Sequence, residues 1–526
     1  MRLRAPQTRW LLLLTACSGG PGGASSADST DGGSPAPERI GASAWVTRAS
    51  LDLRGVRPSP AELAEVAADP DHADALIASF VDDARLGERV AWIWNDSVHS
   101  AVFFRDSPYR IMNPTDEESR ALGWNPLEVV REVVDEDRPF SDLVTAGSVP
   151  WNDPVASFWD QPPPGTGAEW TAITPDDGRP MAGILSVSAF WLVYDADRVN
   201  LNRRRANAVS RIFVCADFLD RQGDALDLSF ASLSDLGEAA RTEPACLSCH
   251  AGLDPIAAFL GGFPDRSVMQ AQAELYEYSP WEAAWYRGWT APAWYGHPGM
   301  DLRDLGAMIA ADPRFAACTV KRLSTGLLGH EADADQLADW TRAFTAGGLQ
   351  IRPLVAEIVA SDAYRADDER TLTTEQLHSS LADLTGWDPQ EDGAAAWMPL
   401  SWDREMRTLG GGTDDVQVLV RNREPGLGTQ VLGLWAARTA LQALDADLRR
   451  PAGERVLWTE LDPDSSPDDA AVRAQLRSWY LRFLSVEPTE ASVEGLYALW
   501  SAEPTPAEGG AAVIEGLVRH PRMELY

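Results

Sequence analysis

Leu51-Asp52-Leu53-Arg54-Gly55-Val56-Arg57-Pro58-Ser59-Pro60-Ala61-Glu62-Leu63 opens the stretch that decides the fold, which runs on to Leu76-Ile77 and Phe80-Val81. Ser59 with Glu62 three positions later reads as a capping box, and Pro60 suits the first helical position, where its missing N–H costs nothing. Leu63 and Val66 then follow on one face. Leu76 with Phe80 and Ile77 with Val81 are spaced four apart, as a buried helix stripe requires. The stripe recurs at Leu354 with Ile358 and Val355 with Val359, then at Val513 with Leu517 and Ile514 with Val518. Each stripe follows a short Leu-containing segment: Leu51 to Pro58, Leu323 to Gly329, and Leu481 to Pro488. This pattern predicts a helical module used three times.

Strand signals are few, the clearest being Ile184 to Val193 and Val416 to Val420. The stretch from Pro150 to Arg179 is rich in Pro, Gly, Asp and Trp and reads as a long irregular connection. The fold class expected is therefore mainly α: a multi-module helical protein with a few short strands and long irregular connections. The chain is longer than one hydrophobic core normally covers, so about two to four domains are expected. The segments are an N-terminal helical domain at 39–149, a chemically marked segment at 150–275, a helical module at 276–368 and a C-terminal helical domain at 369–526.

Before these, Arg2, Arg4 and Arg9 precede the apolar run Trp10 to Leu14 and then Leu14-Thr15-Ala16-Cys17. That is the three-part layout of a secretory signal, with an apolar run too short to span a bilayer. The Leu-Thr-Ala-Cys end resembles the bacterial lipobox, which implies a signal peptide over 1–17 and a lipid anchor on Cys17. An ordinary signal with a chance cysteine is the alternative. Ser18 stands where an Asp would favour inner-membrane retention, so an outer-membrane lipoprotein facing the periplasm or the cell surface is expected. Residues 18–38 are mostly Gly, Ser, Ala, Pro and Asp and read as a disordered tether. No later stretch has the run of apolar residues a membrane helix needs. A net charge of -34 argues against nucleic acid as a partner. Lys321 is the only lysine, a bias that says little about function.

Cys246-Leu247-Ser248-Cys249-His250 is the one chemically specific signature. Two thiols three positions apart can each add across a haem vinyl group, and the next residue presents an imidazole to the iron. A disulfide between Cys246 and Cys249, or half a zinc site, can share the pattern. No second Cys-x-x-Cys or His-x-x-His accompanies it, which argues against zinc, and export argues for haem. Lipid takes Cys17 and the motif takes Cys246 and Cys249. Cys215 and Cys318 remain as a natural disulfide pair in an oxidising compartment, with two buried thiols as the alternative.

The stretches Gly178-Arg179-Pro180-Met181-Ala182-Gly183-Ile184-Leu185, Asn202-Arg203-Arg204-Arg205-Ala206-Asn207, Ile212-Phe213-Val214-Cys215 and Pro244-Ala245-Cys246-Leu247-Ser248-Cys249-His250 with Leu253-Asp254-Pro255 carry a family resemblance. In that order they resemble the planctomycete cytochrome-associated domain families of unknown function. Leu51-Asp52-Leu53-Arg54-Gly55 with Pro58 and Pro60, Asp137-Arg138-Pro139-Phe140, Ser361-Asp362-Ala363-Tyr364, Leu372 to Leu377 and Gly411-Gly412-Thr413-Asp414 resemble further elements of the same group. The resemblance implies an extracytoplasmic location and a redox link, without naming a reaction. Two departures stand out. Ile256-Ala257 follows Asp-Pro where the family has a glycine one residue on, and Phe259-Leu260-Gly261-Gly262-Phe263 replaces an acidic-aromatic-Asp segment. They imply a haem pocket of different shape, or none.

If one haem c is bound, His250 is the proximal iron ligand and Met269 the first distal candidate, with Met300, His297 and Met181 behind it. Methionines more often fill cores. Arg203, Arg204, Arg205 and Arg211 suit haem propionates geometrically, against the alternative of a solvated basic turn. Trp281, Trp285 and Trp289, spaced four apart, read more simply as one buried helix face than as a stacking platform. The acidic pairs Asp82-Asp83, Asp367-Asp368 and Asp414-Asp415 read as solvated surface. There is no nucleotide fingerprint, His-Glu-x-x-His or Gly-x-Ser-x-Gly. The leading expectation is an anchored lipoprotein with a single cytochrome-c-like haem site, passing electrons to an unknown partner. The alternative is a haem-free periplasmic or surface interaction or scaffold protein with Cys246 and Cys249 as a disulfide. A hydrolase or oxidoreductase acting on polysaccharide is a third, weaker reading.

Overall fold

Three successive helices, Ala42–Arg54, Pro60–Ala68 and His72–Val81, are built from the stretch quoted first. The computed structural model describes residues 39–103, 114–194, 196, 200–220, 242–265, 277–387, 425–465 and 467–526. The trio recurs as Pro313–Leu328, Ala334–Ala346 and Ile351–Ala360, and again as Asp469–Leu484, Glu490–Ser501 and Pro506–Val518.

The joints repeat as well as the helices. Each first helix ends on a residue in the left-handed region, Gly55, Gly329 or Ser485, whose N–H returns to the carbonyl of Leu51, Thr325 or Leu481. Each second helix starts on a side-chain cap, from Ser59 to the Glu62 N–H, Asp333 to Gln336, and Thr489 to Ser492. The Ser59 cap is the full capping box. The third helix then folds back onto the first. Its stripe is what it buries: Ile77, Phe80 and Val81; Leu354, Val355, Ile358 and Val359; Val513, Ile514, Leu517 and Val518.

These trios serve two hydrophobic cores within one compact unit, Arg39–Tyr526. The larger core gathers the first two trios, the helices Leu86–Val98 and Asp116–Asp135, and most of the central chain. The smaller runs from Leu372 to Met523 around Trp458, Trp479 and Trp500, with Leu51 from the first helix added. Ala42–Arg54 therefore serves both cores, Leu53 entering one and Leu51 the other.

Between those side chains sits Asp52, 1 % exposed. It accepts hydrogen bonds from the hydroxyls of Tyr364 (2.8 Å) and Tyr526 (2.6 Å) and from Gln376 Nε2 (3.2 Å), with Arg370 Nη1 at 3.7 Å. Arg89 and Glu375 form a second buried ion pair close by, at 3.3 Å, with Arg89 also donating to the Asp52 carbonyl. Arg370 to Leu372 pairs with Glu524 to Tyr526 through three backbone hydrogen bonds of 2.8–3.0 Å. Three of the family-like sequence blocks, those of Asp52, Tyr364 and Gln376, thus meet at one buried charge, which assigns them to architecture rather than chemistry.

The expected mainly α class is what the chain adopts, with only short antiparallel pairs among the described residues: Val149–Trp151 with Thr171–Ile173, and Ala293–Trp294 with His297–Pro298. One strand expectation is overturned. Ile184 to Val193 forms a 3-10 turn, Gly183–Ser186, and then the helix Ser188–Val193. Every residue of that run is buried, and an apolar run buried all round has no period by which to tell strand from helix. Val416 to Val420 lies outside the described residues. The connection at 150–179 is irregular but tied down: the strand pair spans it, a short helix at Asp153–Phe158 interrupts it, and the Asp153 carboxylate accepts the N–H groups of Gly165, Thr166 and Gly167.

Candidate functional site

The Cys-x-x-Cys-His signature lies in the helix Pro244–Ala257, with Pro244 at its first position. On a helix, positions three and four apart share a face, so Cys246, Cys249 and His250 project to one side. All three are half-buried, and the intervening Leu247 is 36 % exposed. The Cys249 thiol donates to the Phe218 carbonyl at 3.8 Å. Phe218 is buried, stacked on Tyr295 at 6.0 Å between ring centres, and its rim presses on the helix at Gly252.

His250 is oriented from within its own helix. Its Nδ1 stands 3.4 Å from Asp254 Oδ1, four positions on. Asp254 is gripped by Arg203, with Nε at 2.6 Å and Nη2 at 3.0 Å from its two oxygens, in the fork geometry guanidinium favours. Burial pushes the Asp254 carboxyl upward, but the hydrogen bonds from His250 and Arg203 outweigh it and hold the group below the usual carboxylate range. The Arg203 guanidinium also lies 5.7 Å from the Trp289 ring centre. With Nδ1 engaged, Nε2 is the ring nitrogen left to meet a metal, the arrangement in which a carboxylate fixes a ligating histidine.

The four arginines divide by role. Arg203 is committed to Asp254. Arg205 is fully buried and donates to the carbonyls of Tyr194, Trp191, Phe263 and Pro264 and to Asn202 Oδ1, stapling the chain beyond the motif helix to the helix Arg203–Val214. The solvated-turn reading therefore holds for Arg204 alone, and Arg205 is part of the interior. Arg211 lies two turns further along and donates to the Ser97 carbonyl at 3.4 Å. Asp254 was missed as a functional residue, although its i,i+4 spacing from His250 was readable.

Met269 lies outside the described residues. Met181 is half-buried against the larger core, Met300 is 75 % exposed, and His297 is exposed on the strand paired with Ala293–Trp294, which packs beside the motif helix. Cys17 lies outside the described residues too. Cys215 and Cys318 form a disulfide with Cα atoms 5.4 Å apart, joining the end of Arg203–Val214 to Pro313–Leu328. Among the described residues it is the only one. No three His, Cys, Asp or Glu side chains among the described residues gather as a metal set.

The segment that departs from the family pattern has a packing reason. A Cβ on Gly261 would come within 2.3 Å of Tyr286, and one on Gly262 within 2.1 Å of Tyr278. Only glycine lets both rings lie on that backbone.

The tryptophan stripe is corrected. The helix Pro280–Trp289 buries Ala283 and Tyr286, leaving Trp281 68 % and Trp285 39 % exposed, with Trp289 half-buried beside Arg203. Spacing marked the face but could not say which face the fold would cover. Of the acidic pairs, Asp83 is salt-bridged to Arg85 and Asp368 to Arg48 and Arg370, while Asp414-Asp415 lies outside the described residues.

Residues 27–149 match a family model described as PSCyt2, a protein of unknown function (DUF1549). That is consistent with the planctomycete cytochrome-associated resemblance, over the part of the chain that holds the first helical trio. No curated protein and no solved structure matches the chain. No helix among the described residues is long and apolar enough to cross a membrane.

Proposed function

We propose that this chain is an exported lipoprotein, held to the outer membrane by lipid on Cys17, that carries one c-type haem on Cys246, Cys249 and His250 and exchanges electrons with a protein partner. The observation that carries the reading is the Arg203–Asp254–His250 chain of contacts, on the helix that also presents both cysteines. The donor set fits the group: two thiols a helical turn apart would take the vinyl positions, and the imidazole, its Nδ1 engaged by Asp254, would offer Nε2 to iron. Bound haem would supply one-electron exchange at iron. The chain's own residues would do the rest. Asp254 holds the imidazole against rotation, Arg203 keeps Asp254 ionised, and Arg205 fixes the segment that follows the motif helix.

A pyridine haemochrome spectrum of the protein, exported in a host with cytochrome c maturation machinery, tests this. A covalent haem band in the wild type, lost in Cys246→Ala, is the expected result. No band in the wild type overturns the reading. The anchor is tested separately by Cys17→Ser, which should release the protein from the membrane fraction.

One observation favours a second reading, a haem-free interaction protein. Trp281 and Trp285 are large apolar side chains left in solvent, as binding surfaces leave them. In that case the wild type shows neither haem nor titratable thiols at Cys246 and Cys249, which would form a disulfide.

A further inference from the structure

Cys215 and Cys318 are joined, whereas Cys246 and Cys249, one turn apart at the start of the motif helix, are not disulfide-bonded. A Cys-x-x-Cys pair at a helix start closes readily into a disulfide of its own, and an oxidising compartment favours that outcome. Haem attachment needs both sulfurs as thiols. The segment that runs from the bonded pair to the motif bears on which of these prevails. Cys215 caps the helix Arg203–Val214 in the left-handed region, and Asn207 holds the residues that follow: its Nδ2 donates to Asp217 Oδ1 at 2.9 Å and its Oδ1 accepts the Phe218 N–H at 2.8 Å.

The strap from Cys215 to Phe218 is tied twice to the helix Pro313–Leu328. One tie is the disulfide to Cys318. The other runs through Phe218, stacked on Tyr295, to Arg314, whose guanidinium lies 4.1 Å from the Tyr295 ring centre and which precedes Cys318 by one helical turn. The far end of the strap meets the motif helix. The Phe218 ring rests on its backbone at Gly252, where an added Cβ would stand 3.2 Å from the ring edge. The Phe218 carbonyl takes the Cys249 S–H at 3.8 Å. That bond is weak, yet only the thiol can make it, because a disulfide sulfur has no hydrogen to donate. Pairing with Cys246 would also draw the two sulfurs to about 2 Å, away from this contact.

We propose that this strap is a redox guard on the motif: held by the Cys215–Cys318 disulfide and by Asn207, it stabilises Cys249 as a thiol and keeps Cys246 and Cys249 from closing on each other. Asn207 and Phe218 are positioning residues in it. The guard deepens the haem reading and rests on it for its purpose, since haem is attached through thiols. The reaction it opposes is an exchange with a small disulfide such as glutathione disulfide. The Cys246 and Cys249 thiols give up two electrons and two protons, their sulfurs bond, and the glutathione disulfide is reduced to two glutathiones.

The test uses the full chain made without haem maturation machinery, equilibrated in glutathione buffers of stepped redox ratio, alkylated, and read cysteine by cysteine by mass spectrometry. In the wild type the motif should keep its thiols at ratios that leave Cys215–Cys318 bonded. Asn207→Ala unties the strap without altering a cysteine and should shift the exchange equilibrium toward the Cys246–Cys249 disulfide by about threefold or more, the size of a weak hydrogen bond. Cys215→Ala with Cys318→Ala should shift it at least as far, whereas Arg204→Gln, exposed on the same helix, should titrate as the wild type does. Coincident curves for the wild type and both strap variants overturn the proposal, as does a wild-type motif that oxidises more readily than Cys215–Cys318. A haem band in the matured wild type beside coincident curves would overturn the guard and leave the haem reading standing; shifted curves with no haem band would do the reverse.

Discussion

The Tyr364 hydroxyl donates to the Asp52 carboxylate at 2.8 Å, joining side chains 312 positions apart in the sequence. Burial and then the field of Asp52 hold the Tyr364 hydroxyl well above its ordinary range, so it remains a neutral donor throughout the working pH range. Tyr364→Phe should cost about 1.5–3 kcal/mol, the span for a hydrogen bond to a charged group. Asp52→Ala should cost about 3–5 kcal/mol, because it removes the buried carboxylate that Tyr364, Tyr526 and Gln376 share and leaves Arg370 with Asp368 as its remaining carboxylate partner. Urea midpoints at constant slope measure both, and a loss in Asp52→Ala no larger than a surface substitution's would mean that the knot carries no stability.

The disulfide Cys215–Cys318 closes a loop of 103 residues. A cross-link over that span typically contributes about 2–4 kcal/mol by restricting the unfolded chain. Paired Cys215→Ala and Cys318→Ala substitutions should lower the unfolding midpoint accordingly, and reductant should shift the wild type but not the double variant.

Asp254→Asn keeps the shape beside His250 and removes the negative charge. If haem is attached, its reduction potential should rise, because a neutral acceptor draws less on the imidazole N–H. Potentiometric titration reads the change. An unaltered potential would mean that Asp254 serves only to anchor Arg203.

His99 provides a pH signature. Burial first, then Arg211 and Arg322, depress it from 6.5 to about 4. The unfolded chain takes up this proton near pH 6.5 and the folded one near pH 4, so the stability tied to neutral His99 is complete above pH 6.5 and is lost as pH falls toward 4. His99→Asn should flatten this part of the stability profile. Chemical denaturation at half-unit pH steps tests it.

Trp281 and Trp285 should be replaceable by alanine within about 0.5 kcal/mol of wild-type stability, as exposed positions generally are. Acrylamide should quench their emission far more than that of the buried Trp458 and Trp479. Destabilisation well beyond this range would mean that the face is covered.

Much of the helical frame was legible because its signals are local. The Ser59–Glu62 box and the paired stripes need only a few neighbouring residues to be read, and the three stripes found in the sequence are the third helices of three matching trios. Ile184 to Val193 failed for the reason it packs well: being apolar throughout, it offers no period. The tryptophans of Pro280–Trp289 failed because periodicity reports a face, not its destination. At the candidate site, the motif was plain and the spacing of four between His250 and Asp254 was readable, but the grip of Arg203 on Asp254 depends on a contact between helices across 51 positions. The arginine run likewise concealed three environments: one paired, one exposed and one interior.

The knot at Asp52 also sets an order of events during synthesis. A ribosome delivers Asp52 first, Tyr364 and Gln376 some 300 residues later, and Tyr526 474 residues later. Before Tyr364 and Gln376 are made, the first helix has none of these partners for its buried carboxylate. The earliest helix therefore completes its hydrogen bonding only with residues made far later, so the two cores that it serves are tied together by contacts of very long sequence separation.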